Sequence, residues 1–185
     1  MAETESKKLP LETDLPDFNL IGTDGGMNAP RDFATYKVLV VAFLCNHCPY
    51  AKAAIPKLIK LQEKYLEQGV IFLGINANDP EDYPEDDLEH MTKYAQEWGM
   101  NFTYLVDETQ HVAKSFGAVC TPDIFVYDRD RKLAYHGRID DNWKDETRVT
   151  QHDLQDAIEA LLIGTAPRSA QHPSMGCSIK WRTNS

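Results

Sequence analysis

The chain has 185 residues, enough for one domain that buries roughly 70% of its unfolded surface without covalent staples. With 19 Lys and Arg against 29 Asp and Glu, its formal net charge of -10 argues against a nucleic-acid backbone or an anionic membrane as partner. Four cysteines are too few for a disulfide scaffold, and with no apolar leader and no bilayer-length apolar run the expectation is a cytoplasmic protein whose thiols stay mostly reduced.

Residues 1–16 are polar and proline-punctuated and read as a loose lead-in to a domain over 17–164, with a tail at 165–185 behind it. Two short strand-like pieces around Asp24-Gly25-Gly26 suggest a β hairpin. Val38 to Leu44 is a continuous, β-branched-rich apolar run, the pattern of a strand buried on both faces. A helix follows from about Pro49 to Glu67, with Ile55, Leu58, Leu61 and Tyr65 near helical spacing and Gly69 as its stop. Val70 to Ile75 is a second buried strand, so the three segments make a right-handed parallel βαβ unit. The acidic, proline-rich run 78–87 reads as a solvated loop rather than a cation site. Leu88, Met91, Ala95 and Trp98 mark a helix closed by Gly99, and a strand and a short helix closed by Gly117 come next. Two strands flank the Asp128–Arg131 turn as an antiparallel hairpin, on which His136 reads as an ordinary cross-strand residue. Asp140 to Trp143 reads as a turn with one buried Trp, with a loop that caps the site as the alternative. The last helix is expected from Thr150, with Asp153 completing a near capping box, to Gly164. A parallel unit joined to an antiparallel hairpin implies a mixed sheet with helices on both faces.

The chemistry sits in "FLCNHCPYAKAAIP", residues 43–56. Cys48 falls where the first buried strand hands over to the helix, and Pro49 fills the first helical position, where a missing N–H costs nothing. Unpaired amides and the positive end of the helix stabilise a thiolate there and lower its pKa below ~8.5. Cys45 lies nearer the strand end and gains less from the helix, so electrostatics favours Cys48 as a solvent-accessible nucleophile. Cys48, Cys45 and Cys120 also have a plainer reading as small buried hydrophobes, and Cys177 as a solvent-exposed tail thiol. A zinc site starting from Cys45, His47 and Cys48 would need a second ligand pair at suitable spacing, and Cys120 and Cys177 stand 57 residues apart, so no metal is expected. No glycine-rich phosphate loop appears, so no cofactor is expected either.

The segments "FLCNHCPYAKAAIP", "GAVCTPDIFVYD", "YHGRIDDNW" and "GCSIKW", in this order, resemble the peroxiredoxin-like thioredoxin-family proteins of the redoxin (AhpC/TSA) type, over about Asp17 to Trp181. The resemblance implies an α/β thioredoxin-like three-layer sandwich: a mixed central sheet, helices on both faces and an N-terminal β hairpin. It also implies that Pro122 is a cis proline facing the nucleophile and shaping the substrate groove. In thioredoxins a helix proline follows the attacking cysteine by about eight positions; Pro56 follows Cys48 by eight and Cys45 by eleven. In that register the motif is Cys48-Pro49-Tyr50-Ala51, with alanine in place of the usual resolving cysteine. The first strand also lacks the buried aspartate that thioredoxins use as a base for that thiol. A resolving partner for Cys48 must therefore come from elsewhere: Cys45 first, then Cys177, whose tail carries Ile179 and Trp181 as anchors, then Cys120. The peroxiredoxin pattern of a threonine three before the cysteine and a proline seven before is absent, since Cys45 and Val41 occupy those positions.

The expectation is a thiol–disulfide oxidoreductase, with an antioxidant role as a further implication of the resemblance. Its partners would be a protein or small-molecule disulfide or a peroxide as substrate and an external dithiol as reductant. The alternative is a non-enzymatic thioredoxin-fold module that holds a partner protein in the Pro122 groove, a reading that Ala51 favours.

Overall fold

A computed structural model of the chain describes residues 3–183. In chain order the strands are β1 (Glu3–Glu5), β2 (Leu20–Gly22), β3 (Met27–Asn28), β4 (Val38–Phe43), β5 (Val70–Asn76), β6 (Thr103–Val106), β7 (Cys120–Thr121), β8 (Asp123–Tyr127), β9 (Leu133–Gly137) and β10 (Met175–Ser178). The helices are α1 (Pro49–Tyr65), α2 (Leu88–Glu97), α3 (His111–Phe116) and α4 (Asp153–Leu162). Seven strands form one mixed sheet in the order β3-β2-β6-β5-β4-β8-β9, and β1, β10 and β7 form a second, antiparallel one. β4 runs parallel to β5 and antiparallel to β8, so the end of β4 meets the start of β8, with Phe43 opposite Asp123.

The apolar run chosen from the sequence is central for a physical reason. Val38, Val40, Ala42 and Leu44 point into one core with α1, α2 and α4, while Leu39, Val41 and Phe43 point into the other with α3. A strand covered on both faces has no polar side to alternate with. The result is helix, sheet and helix in three layers, as the resemblance implied, and β2 and β3 make the expected hairpin. Among the described residues no helix is long and apolar enough to cross a membrane.

Three expectations need correction. The lead-in is not loose: β1 pairs with β10 in the tail, Asp14 bridges to Lys132, and the Glu12 amide bonds the Leu133 carbonyl at 2.8 Å. The last helix starts at Asp153, not Thr150, because the Thr150 amide and hydroxyl both bond the Asp141 carboxylate and Asp153 accepts from Arg138 Nε at 2.7 Å. The acidic loop is not wholly solvated, since Asp79 and Asp86 are buried within it.

Candidate active site

The parallel β4–β5 pair and the antiparallel return of β8 bring four segments to one end of the main sheet. These are the turn 44–48, the loop 76–86, the Thr121–Pro122 corner and the tail strand β10. Cys48 is the N-cap of α1, in extended conformation, with Pro49 directly after it. No side chain caps this helix end, so its amides are open to the sulfur. Thr121–Pro122 is a cis bond, and the Cys48 sulfur lies 3.4 Å from the Thr121 carbonyl oxygen.

The structure places all five sequence-derived site residues within this end of the fold, with Cys48 at the start of α1 and Pro122 cis beside it as expected. Cys177 comes to Cys48 across 129 positions, its Sγ 2.7 Å from the Cys48 Sγ. Cys45, ranked first as partner, shares a hydrogen bond at 3.1 Å with the Thr121 hydroxyl. Cys45, Cys48, Ala51 and Cys177 form one small apolar cluster, with Tyr50 packed against it. Cys120 is buried, its sulfur 3.6 Å from the Pro122 carbonyl oxygen. The expectation of a solvent-accessible Cys48 is overturned: none of its surface is exposed, and Cys177 of β10 packs directly on its sulfur.

These contacts set the charge of the sulfur. The hydrogen bond from the Cys45 thiol is the largest influence on Cys48; burial opposes it, and the Cys177 thiol and the amides of Ala51 and Cys177 reinforce it. The balance lowers Cys48 to about 5. Cys45, which gives up its hydrogen bond to Cys48 and is buried near Asp86, is pushed well up. Burial, then the bond to Cys48, pushes Cys177 up to about 12. Burial, with the nearby Asp123 charge, pushes Cys120 up as well. One thiolate thus sits among three protonated thiols.

A polar hub below the turn was missed by the sequence reading. Asp86 accepts from the Asn46 amide at 2.7 Å, from His47 Nδ1 at 2.7 Å, from Asn76 Nδ2 at 3.0 Å and from Asn78 Nδ2 at 2.9 Å. Burial pushes its carboxyl up, but these bonds outweigh burial and hold it below the usual carboxylate range. The hub pins residues 46 and 47 immediately before Cys48. Cys45 Sγ, a His47 ring nitrogen and an Asp86 oxygen lie within 4.8 Å of one another, but the carboxylate is already the acceptor for four donors. The available signal was Asn76 and Asn78, polar residues where a doubly buried strand ends. A second missed pair lies after Pro122: buried Asp123 accepts from His136 Nε2 at 2.8 Å, so His136 is not an ordinary cross-strand residue. Asp123 Oδ2 has no partner among the described residues, and burial pushes its carboxyl up.

Beside the sulfurs is a cavity of about 280 Å³ whose walls include Tyr50, Lys57, Pro122, Trp143 and Met175. Trp143 is half-buried and packs on Tyr50 with ring centroids 4.0 Å apart, so the 140–143 turn borders the site.

A family model described as AhpC/TSA family matches residues 11–136. The thiol-disulfide oxidoreductase ResA of Geobacillus thermodenitrificans is 24% identical over 130 residues, 70% of this chain and 70% of that protein. The crystal structure of an uncharacterized conserved protein from Geobacillus kaustophilus is 42% identical with a TM-score of 0.95, covering 100% of this chain and 99% of that one. The thioredoxin domain of a thiol-disulfide oxidoreductase from Bacteroides vulgatus, 20% identical, shares the fold with a TM-score of 0.60 over 70% of this chain and 89% of that one.

Proposed function

From the premise that the chain belongs to the AhpC/TSA family, we propose that it is a cytoplasmic thiol–disulfide oxidoreductase in which Cys48 attacks and Cys177 resolves. The observation that carries this reading is one arrangement: a lowered Cys48 sulfur at the start of α1, 2.7 Å from a protonated Cys177 and beside Pro122. A thiolate is the attacking form of cysteine, and a nearby neutral thiol is a competent second nucleophile once its proton leaves. Cys48 attacks one sulfur of a substrate disulfide, the S–S bond breaks, and the leaving thiolate takes a proton. Cys177 then loses its proton and attacks Cys48, releasing the second substrate thiol and leaving Cys48 and Cys177 joined. An external dithiol returns the chain to its reduced form.

In this reading Cys45 and the Thr121 hydroxyl hold the thiolate in place, and Pro122 shapes the groove. Cys120, fully buried with its sulfur against the Pro122 carbonyl, takes no part. Cys177 supplies the thiol missing at Ala51, which favours an enzyme over a binding module. Disulfide is preferred to peroxide as substrate because Cys45 and Val41 stand where the peroxiredoxin threonine and proline would be.

The test is turnover of a chromogenic disulfide with dithiothreitol as reductant. Cys48→Ser should lose roughly a hundredfold or more of the activity. With dithiothreitol left out, reduced Cys177→Ser should complete the first half-reaction and accumulate one equivalent of mixed disulfide at Cys48. Equal turnover by wild type and Cys48→Ser would remove Cys48 from the reaction.

A further inference from the structure

The edge of β7 beside Pro122 already carries an occupant, and that occupant is the chain's own tail. β10 lies antiparallel on β7, with Cys177 opposite Thr121 and Ser178 opposite Cys120, and β1 closes its outer edge. While β10 is there, Cys48 has no exposed surface. A partner disulfide must touch the sulfur that attacks it, so the strand has to leave for exchange to begin. Resting on the reading of Cys48 as the attacking thiol, we propose that β7 is the docking edge for an extended segment of a partner protein that replaces β10, and that this segment carries glycine immediately before its reactive cysteine.

The glycine requirement is steric. A Cβ on Gly176 would stand 2.0 Å from the Thr121 carbonyl oxygen, 2.6 Å from its carbon and 3.1 Å from the Pro122 nitrogen. All three are backbone atoms at a corner fixed by strand pairing on both sides, so none can swing aside. Gly176 is therefore needed for close approach. A partner strand in the same register meets the same carbonyl. It has no freedom to choose another: a slip by one residue turns its cysteine to the opposite face, and a slip by two carries the sulfur about 7 Å along the strand. One position further back, where Met175 lies, the partner side chain faces the cavity bordered by Tyr50, Trp143 and Pro122, which suits an apolar residue.

The exchange balances. The Cys48 thiolate attacks the glycine-preceded sulfur of the partner's disulfide; that S–S bond breaks and the other sulfur leaves as a thiolate that takes a proton. β10 then displaces the partner strand from β7. Cys177 loses its proton, bonds to Cys48 and expels the partner's cysteine, so two electrons pass from this chain to the partner.

The test uses the reduced wild-type chain and two peptides, Met-Gly-Cys-Ser-Ile and Met-Ala-Cys-Ser-Ile, each disulfide-linked to thionitrobenzoate. Release of thionitrobenzoate should be about tenfold faster or more for the glycine peptide, while dithiothreitol alone reacts equally with both. Equal rates with the protein would overturn the docking proposal. Cys48→Ser separates the two claims. If the variant is inert and wild type treats the peptides alike, the docking register falls and the nucleophile stands. If the variant reacts with the glycine peptide at the wild-type rate, both fall.

Discussion

At the scale of single residues, the acidity of Cys48 is made by a proton that belongs to its neighbour. The Cys45 thiol hydrogen bond contributes more to the lowering than the backbone amides do. Cys45→Ala should therefore move Cys48 from about 5 toward the ordinary thiol value. The sign is direct: a thiol is reactive above its pKa, so in the wild type alkylation at Cys48 levels off above about 5, while in the variant it keeps rising toward pH ~8. Rates from mass-spectrometric peptide mapping across pH give both curves, and coincident profiles would assign the lowering to the helix end instead. Asp86 acts at the same scale but on shape. Asp86→Asn keeps the volume and turns one acceptor oxygen into a donor facing His47, Asn46, Asn76 and Asn78. Leaving buried donors unsatisfied should destabilise the fold by about 2–3 kcal/mol, read as a shift in the urea midpoint at unchanged slope.

At the scale of elements, the tail is a strap held at both ends. Before β10, the Ser174 hydroxyl donates to the Gly137 carbonyl at 2.7 Å, and Ser174 and Ser6 exchange hydrogen bonds. After it, the buried side chain of Ile179 enters the α3-side core, and the Lys180 carbonyl accepts from Gln110 Nε2 at 2.8 Å. Ile179→Ala should cost about 2–4 kcal/mol. Its more telling effect is local: amide exchange over 175–180 and alkylation of reduced Cys48 should both quicken. Unchanged Cys48 alkylation would mean that Ile179 does not hold the strap down. The same contrast explains what the sequence made legible. β4, β5, α1 and α2 carry their own periodicity, and Cys48-Pro49 writes a helix start in adjacent residues. β10 has only Met175, Gly176, Cys177 and Ser178, too short for a pattern, and its partners are residues 3–5 and 120–121. Pairing across such separations leaves no local trace, which is why Cys177 ranked behind Cys45 and why Cys48 was expected in the open. Asp86 was hidden differently: in a run of acidic residues only position in the fold distinguishes the buried ones, Asp79 and Asp86.

At the scale of the whole molecule, redox state and pH act on the same sulfur with opposite effects on stability. Joining Cys48 to Cys177 closes a loop of 129 residues. In the chain-entropy account that crosslink makes the oxidised fold more stable against unfolding than the reduced fold by about 5 kcal/mol. The thiolate opposes this. With Cys48 lowered to about 5 and a thiol in the unfolded chain near ~8.5, the reduced fold binds fewer protons than its unfolded state between those values. Its stability therefore rises through that window and is lost as pH falls through about 5. At pH ~7, about two units above the folded value, the thiolate adds about 3 kcal/mol to the reduced form. Cys177, pushed up to about 12, keeps its proton folded or unfolded at that pH and adds nothing. Asp86, held low by its donors, loses stability on acidification in both redox forms and cancels from the difference. The oxidised form should thus exceed the reduced form by about 2 kcal/mol at pH ~7 and by about 5 kcal/mol at pH ~4. Denaturant midpoints of both forms at the two pH values measure this, and a gap that stays constant or narrows in acid would mean that Cys48 is not ionised in the folded chain. By linkage, a stability gap of about 2 kcal/mol near neutrality places the folded couple roughly 40 mV below the same two cysteines in the unfolded chain, against roughly 110 mV for the crosslink alone. The lowered Cys48 thus keeps the crosslink within reach of reduction.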